Sequence, residues 1–176
     1  MTNLTGKTAL VTGASSGMGK ATADLLANKG VRVFTAERSA SEHEHISADF
    51  ADPEAPGAVI DHIKSAAGTL DILINNAGVM REGSADGMPL DDWHLQIQVN
   101  LTAPFLLTRY ALPLMRGRDA AIVNVGSIEG LDNNPGHAAY GASKAGLHGL
   151  TRAIAVDEGQ NRVRCNGVAP GRACLR

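Results

Sequence analysis

The sequence predicts an α/β protein: a parallel sheet wound on both faces by helices, in a single domain over residues 1–176. Three observations predict it. Short runs of aliphatic and β-branched residues alternate with longer stretches whose apolar residues recur at helical spacing. Two runs, 70–74 and 120–125, are apolar along most or all of their length, as strands covered on both faces are. A glycine-rich turn joins the first run to the first helical stretch.

Thr8 to Thr12 reads as the first strand and ends in Gly13. From Gly17 to Lys29, helical spacing runs through Met18, Ala21, Leu25 and Leu26, and Gly30 supplies the stop. Val31 to Ala36 is the second strand. Right-handed crossover makes these two strands parallel neighbours, with the glycine turn at the carboxyl end of the first. Arg38 to Ile46 is shorter than the roughly 10 to 12 residues a helical crossover needs. A loop is therefore expected before a third strand near Ile46 to Ala48. Pro53 to Ala67, with Val59, Ile60 and Ile63, gives a second helix, and Leu70 to Ile74 a fourth strand. Leu90 to Met115 reads as one long helix that Pro104 and Pro113 should bend or interrupt. Its Trp93, Ile97 and Phe105 fit core or subunit contacts. Ala120 to Val125, a helix over Ala142 to Asp157, and a weaker strand at Val163 to Val168 complete the alternation.

Composition excludes several function classes. Hydrophobic residues at 44% and charged residues at 19% describe a chain that folds. A net charge of −2 and six aromatic residues leave no basic field or stacking platform for nucleic acid. No apolar run approaches the roughly 18 residues of a membrane span, and Met1 to Lys7 lacks a signal pattern. The expectation is a soluble chain without a membrane partner. Cys165 and Cys174 suit a reducing, cytoplasmic setting, with one bridge between them left open. His43 and His45 alternate in Glu42-His43-Glu44-His45, but no further ligand cluster supports them, so a polar loop and no metal is expected.

Gly13, Ser15, Ser16, Gly17, Met18 and Gly19 span the first strand-to-helix turn, where backbone N–H groups and the helix dipole hold a pyrophosphate. The spacing is Gly-x-x-x-Gly-x-Gly, and a glycine-rich turn without a ligand is the alternative. A phosphate-loop reading of Gly19-Lys20 fails, because the glycine spacing is wrong and Ala21 replaces the magnesium-binding hydroxyl. Glu37 ends the second strand where a carboxylate accepts the adenine-ribose hydroxyls and repels a 2′-phosphate. Arg38 beside it would attract that phosphate. NAD is favoured, with NADP second, and a solvated surface pair is the alternative.

Tyr140 and Lys144 are four apart at a helix start and share a face. A phenol with pKa near 10 is about 0.1% ionised at pH 7, and shifting it to 7 takes about 4 kcal/mol. Lys144 is one source of that stabilisation. Ser127 closes the preceding strand at the same carboxyl edge, as does the Asn75-Asn76-Ala77-Gly78 turn, and Asn100 lies in a helix nearby. Glu129, Asn133 and His137 fall in the loop after Ser127, at the substrate mouth by position.

Through TGASSGMG, the NNAG stretch, Asn100, Ser127 and Tyr140-Gly141-Ala142-Ser143-Lys144, the sequence from Lys7 to Gly171 resembles the short-chain dehydrogenase/reductase family. The resemblance implies a Rossmann-type doubly wound sheet of order 3-2-1-4-5-6. It implies Tyr140 as general acid/base, Lys144 lowering its pKa and holding the nicotinamide ribose, Ser127 positioning the substrate oxygen, and Asn100 supporting a proton path. Asp49 and Phe50 would lie near the adenine, Asn76, Ala77 and Gly78 along the dinucleotide, and Pro170 and Gly171 beside the nicotinamide. The partner would be a small alcohol or carbonyl substrate, and the long helices would pair subunits into a homo-oligomer. Members of that family continue with a Val-x-Thr-like segment, a substrate loop, a helix and a last strand. Here Leu175 stands at the Thr position and the sequence ends at Arg176, so the expectation is a C-terminally truncated member. A second function class follows, a non-catalytic nucleotide-binding or interaction protein of the same fold.

Overall fold

The computed structural model describes residues 4–171. Six strands, β1 (Thr8–Thr12), β2 (Arg32–Glu37), β3 (Glu44–Ser47), β4 (Ile72–Asn75), β5 (Ala120–Val125) and β6 (Val163–Val168), form one sheet. Their order is β3-β2-β1-β4-β5-β6, and every neighbouring pair is parallel. The doubly wound order expected from the sequence is thus present. Five α-helices connect the strands: α1 (Gly17–Ala27), α2 (Ala55–Ala67), α3 (Leu90–Ile97), α4 (Ala103–Met115) and α5 (Ala138–Glu158).

Strand pleat divides the core in two. Leu10 sits between Phe34 and Leu73 in register. Together with Ile122 these side chains pack against Val59 and Ile63 of α2, Leu107 and Met115 of α4, and Ile154 of α5. The alternate residues Ala9, Val11, Val33 and Ile74 face the other way, onto Ala23 and Leu26 of α1. Each large aliphatic residue buried this way contributes about 1.5–3 kcal/mol. The functional edge is therefore mounted on a floor closed from both sides at β1.

Several boundaries differ from the sequence reading. β3 lies over Glu44–Ser47, slightly earlier than expected, because Phe34 through Glu37 pair with Glu44 through Ser47. Arg32 also grips Glu44 with two hydrogen bonds of 2.6 and 2.8 Å. The segment before it is a loop, as the length argument requires. α5 starts at Ala138, before the expected Ala142.

The single long middle helix is not continuous. A π-helical turn at Gln98–Thr102 separates α3 from α4, and Pro104 falls at the second position of α4, where a missing N–H is tolerated. Pro113 lies within the last turn of α4, which ends at Met115. Cys174 and Leu175 lie outside the described residues. Among those described, β6 pairs with β5 alone, and Val123 and Val125 of β5 stay half-buried on the α1 face.

Asp71, just before β4, ties the amino ends of the strands together. Its buried carboxylate accepts from the Thr8 N–H at 2.9 Å and from Lys7 Nζ at 3.0 Å, with Arg118 3.3 Å away. Burial pushes its pKa up, but the Thr8 N–H and the two cations outweigh that and hold it below the usual carboxylate value. A lowered folded-state pKa adds stability above the unfolded value and loses it as pH falls through the folded one. Asp71→Asn should lower the stability measured by urea unfolding by about 1–3 kcal/mol at pH 7. The gap to the unsubstituted chain should narrow as the pH approaches 3.

Candidate active site

The site forms at the carboxyl edge, where the chain leaves β1 and β4 in opposite directions across the sheet. After Thr12 the backbone turns at Gly13, with φ of 68°, and enters α1. The Thr12 hydroxyl accepts the N–H groups of Asn76 and Ala77, each at 3.0 Å. In return the Asn76 amide donates to the carbonyls of Thr12 and Gly13 at 2.9 and 3.1 Å. The two loops are so close that a Cβ on Gly19 would lie 2.2 Å from the Gly13 oxygen and 2.5 Å from Asn76 Nδ2.

A crevice of about 490 Å³ opens along this junction. Gly13, Ser15, Ser16, Met18 and Gly19 form one wall, and Asn76, Ala77 and Gly78 another. Glu37, Arg38, Asp49 and Phe50 line it as well, so it runs from the glycine turn to the ends of β2 and β3. Gly17, the exposed first residue of α1, is next to the first wall. Glycines approaching within contact distance, a helix amino terminus and a carboxylate at the end of β2 fit the pyrophosphate and ribose of a dinucleotide.

Glu37 is more committed than its position in the sequence reveals. Its buried carboxylate accepts the Ala14 N–H on Oε2 at 2.9 Å, and Oε1 lies 3.2 Å from His45 Nδ1. Each carboxylate oxygen retains a lone pair for a further donor. His43 sits instead 2.9 Å from Asp24, so the two alternating histidines answer to different carboxylates.

The second half of the site is carried by α5 and the end of β5. Lys144 is 3% exposed, and its Nζ donates to the Val125 carbonyl at 2.8 Å. Burial lowers its pKa to about 8. A Cβ on Gly78 would lie 3.6 Å from Lys144 Nζ and 3.4 Å from Asn100 Oδ1, so the crevice wall abuts both side chains. Asn100, fully buried in the π-helical turn, exchanges two 2.8 Å hydrogen bonds with the Val79 backbone and donates to Ser143 Oγ at 3.0 Å. Ser143 donates in turn to the Tyr140 carbonyl at 2.7 Å.

Ser127 is extended, and its Oγ accepts the Glu129 N–H at 3.1 Å. The Ile128 N–H reaches the Pro170 carbonyl at 3.0 Å, which brings the Pro170-Gly171 segment beside it. Burial raises the Tyr140 pKa above that of a free phenol; hydrogen bonding from the Ser127 side chain lowers it, and the Glu129 charge raises it further. The Lys144 ammonium is 5.7 Å from the Tyr140 ring centroid and gives one of its three donors to the Val125 carbonyl.

Glu129, Asn133 and His137 come together in the loop after Ser127. Glu129 accepts the Asn134 N–H at 2.8 Å and the Asn134 side-chain amide, and lies 3.1 Å from His137 Nδ1. These partners, the backbone N–H first, hold its pKa down at about 2. Sequence reasoning missed Thr12 as the staple between the loops and Ser143 as the link from Asn100 to α5. It also missed Gln96, whose buried amide is bonded to the Arg81 backbone at 3.0 and 3.2 Å.

Residues 7–173 match the model of the short chain dehydrogenase family. The chain belongs to that family. It is therefore an oxidoreductase by descent, from a family that uses NAD(P). It is 40% identical to a 3-oxoacyl-acyl-carrier-protein reductase of Vibrio cholerae, over 96% of this chain and 74% of the relative. It is 36% identical to an uncharacterized oxidoreductase of Bacillus subtilis, over 97% and 68% respectively. A solved structure of Thermoplasma acidophilum aldohexose dehydrogenase superimposes with a TM-score of 0.90 at 35% identity, covering 96% of this chain and 67% of that one. Among the described residues no helix is long and apolar enough to cross a membrane.

Gly19 gives a direct test of the crevice. Gly19→Ala forces a methyl against the Gly13 carbonyl, so the turn must open. Affinity for NADH, measured by calorimetric titration, should fall about tenfold or more, since each 1.4 kcal/mol of lost binding is tenfold.

Proposed function

We propose that this chain transfers a hydride between a nicotinamide cofactor and a small alcohol or carbonyl substrate, with Tyr140 as the general acid/base. The observation that carries the reading is the close approach of Gly78, on the crevice wall, to Lys144 of the Tyr140 helix and to Asn100, where a Cβ would lie 3.6 and 3.4 Å from them. It supports a site in which the proton-handling residues stand next to the dinucleotide crevice. The relatives' names point the same way, since a 3-oxoacyl reductase and a trans-4-hydroxycyclohexanecarboxylate dehydrogenase both interconvert alcohols and carbonyls.

When bound, the nicotinamide supplies or accepts the hydride. Tyr140 supplies the proton to a carbonyl oxygen in reduction and removes it from the alcohol in oxidation. Ser127 would position that oxygen, and Lys144 would hold the nicotinamide ribose. Asn100 fixes the loop that carries Gly78 and Val79, which keeps the wall and the acid in register. Pro170 and Gly171, joined to the Ser127 turn, would cover the nicotinamide end. The raised phenol pKa keeps Tyr140 protonated at neutral pH, the form that reduction needs.

NAD is the proposed cofactor, because the Glu37 carboxylate faces the crevice and a 2′-phosphate would meet its charge. Glu37→Gln keeps the shape and removes the charge. The ratio of NADP to NAD dissociation constants, read by calorimetry, should shrink by about tenfold.

Tyr140→Phe should lower turnover by about 10²–10⁴ while nucleotide affinity stays unchanged. The assay follows nicotinamide absorbance over a panel of alcohols and ketones. In the unsubstituted chain, oxidation should accelerate as pH rises toward the Tyr140 pKa, because the phenolate is the base. Reduction should slow above it, because the phenol is lost. Nucleotide binding with no turnover of any panel member would replace this reading with that of a non-catalytic nucleotide-binding protein.

A further inference from the structure

Below the active-site turn lies a histidine for which the proposed reaction has no use. His148 follows Lys144 by one helical turn on α5, and its Nε2 is 3.1 Å from the Ser127 carbonyl oxygen. A carbonyl has no proton to give, so the contact is a hydrogen bond only when Nε2 carries the hydrogen. Lys144 donates to the Val125 carbonyl in the same way. One helix thus holds two alternate carbonyls at the end of β5, on either side of Gly126.

The space for the imidazole is built by glycines. A Cβ on Gly126 would lie 2.3 Å from His148 Cε1, and one on Gly130 2.8 Å from Cδ2. Gly167 of β6 approaches from the Nδ1 side, where a Cβ would be 3.7 Å away. The Ser127 carbonyl also accepts the Gly130 N–H at 3.0 Å, so His148 and the turn's own backbone together fill both its lone pairs. The Ser127 side chain projects from the backbone that this pair fixes.

We infer that His148 is a positioning residue: by donating from Nε2 to the Ser127 carbonyl it sets the orientation in which the Ser127 hydroxyl meets Tyr140. The inference rests on the reading of Ser127 and Tyr140 given above. It adds a residue that touches neither substrate nor cofactor and acts through Ser127. Loss of the donor leaves the carbonyl with one partner and lets the turn rotate, which moves the Ser127 hydroxyl that projects from it.

The test needs no substrate. The chain has two tyrosines, so a Tyr110→Phe background leaves Tyr140 as the sole phenol, and its ionisation is read as tyrosinate absorbance during alkaline titration. In that background Ser127→Ala should raise the Tyr140 midpoint by about half a pH unit or more, because a hydrogen bond to the phenolate is removed. His148→Leu should reproduce most of that rise, and His148→Gln, which restores a donor at the Nε2 position, should cancel it. A Ser127→Ala shift with no shift in His148→Leu overturns the inference and leaves the reading of Ser127 intact. No shift in Ser127→Ala overturns both. Should the leucine variant fail to fold, ¹H–¹⁵N correlation on the unsubstituted protein decides. An exchange-protected hydrogen on His148 Nε2 with a bare Nδ1 supports the role, and the opposite tautomer ends it.

Discussion

The site depends on the staple between the loops after β1 and β4. Thr12 and Gly13 on one loop and Asn76 and Ala77 on the other share four hydrogen bonds in which every donor and acceptor is backbone or a short side chain. Such groups lose little side-chain freedom on ordering, so most of each bond's modest net value is retained. The staple sets how far apart the two halves of the crevice stand. Gly13 and Gly19 are glycines for this reason: the opposing loop and the turn itself occupy the volume a side chain would take.

From that junction, buried polar groups transmit order into the rest of the edge. Asn100 bonds to the loop after β4 and to Ser143, and Ser143 bonds to the backbone beneath Tyr140. A parallel chain of contacts runs under the sheet, where Asn75 donates to Asn124 and Asn124 to Thr151 of α5. Leaving any of these groups unpaired in the core costs about 1–3 kcal/mol, so the network resists partial arrangements. The same burial that demands partners also shifts Lys144 and Tyr140 in opposite directions, lowering the amine and raising the phenol. Both shifts favour the neutral side chain, as desolvation requires.

Much of this was legible in the residues. The continuous apolar runs located β4 and β5, the glycine spacing located the phosphate-type turn, and the order of motifs placed Ser127, Tyr140 and Lys144 at one edge. Periodicity failed where it carried no information. A π-helical turn at Gln98–Thr102 keeps the apolar content of a helix while changing its pitch, so the stretch read as one element. The start of α5 was missed because His137 caps it without a side-chain bond and its first turn, Ala138 to Gly141, carries no large aliphatic residue to mark a helical period. The two engagements of Glu37 were invisible because they depend on strand pairing, β1 with β2 for the Ala14 N–H and β2 with β3 for His45. Only the spacing of Tyr140, Lys144 and His148, one turn apart each, left a trace of the third residue's place.

The wide turn around Asn100 also sets the phase of the helical layer. Widening a helix by a single residue rotates everything beyond it by about 100° about the axis, the angle between successive residues of an α-helix. α3, upstream, packs beside α5, whereas α4, downstream, packs on α2. Deleting one residue there would restore a regular helix and turn one of these two seams toward solvent. The irregular pitch is thus the joint that lets α3 and α4, set end to end, serve two neighbours on different bearings.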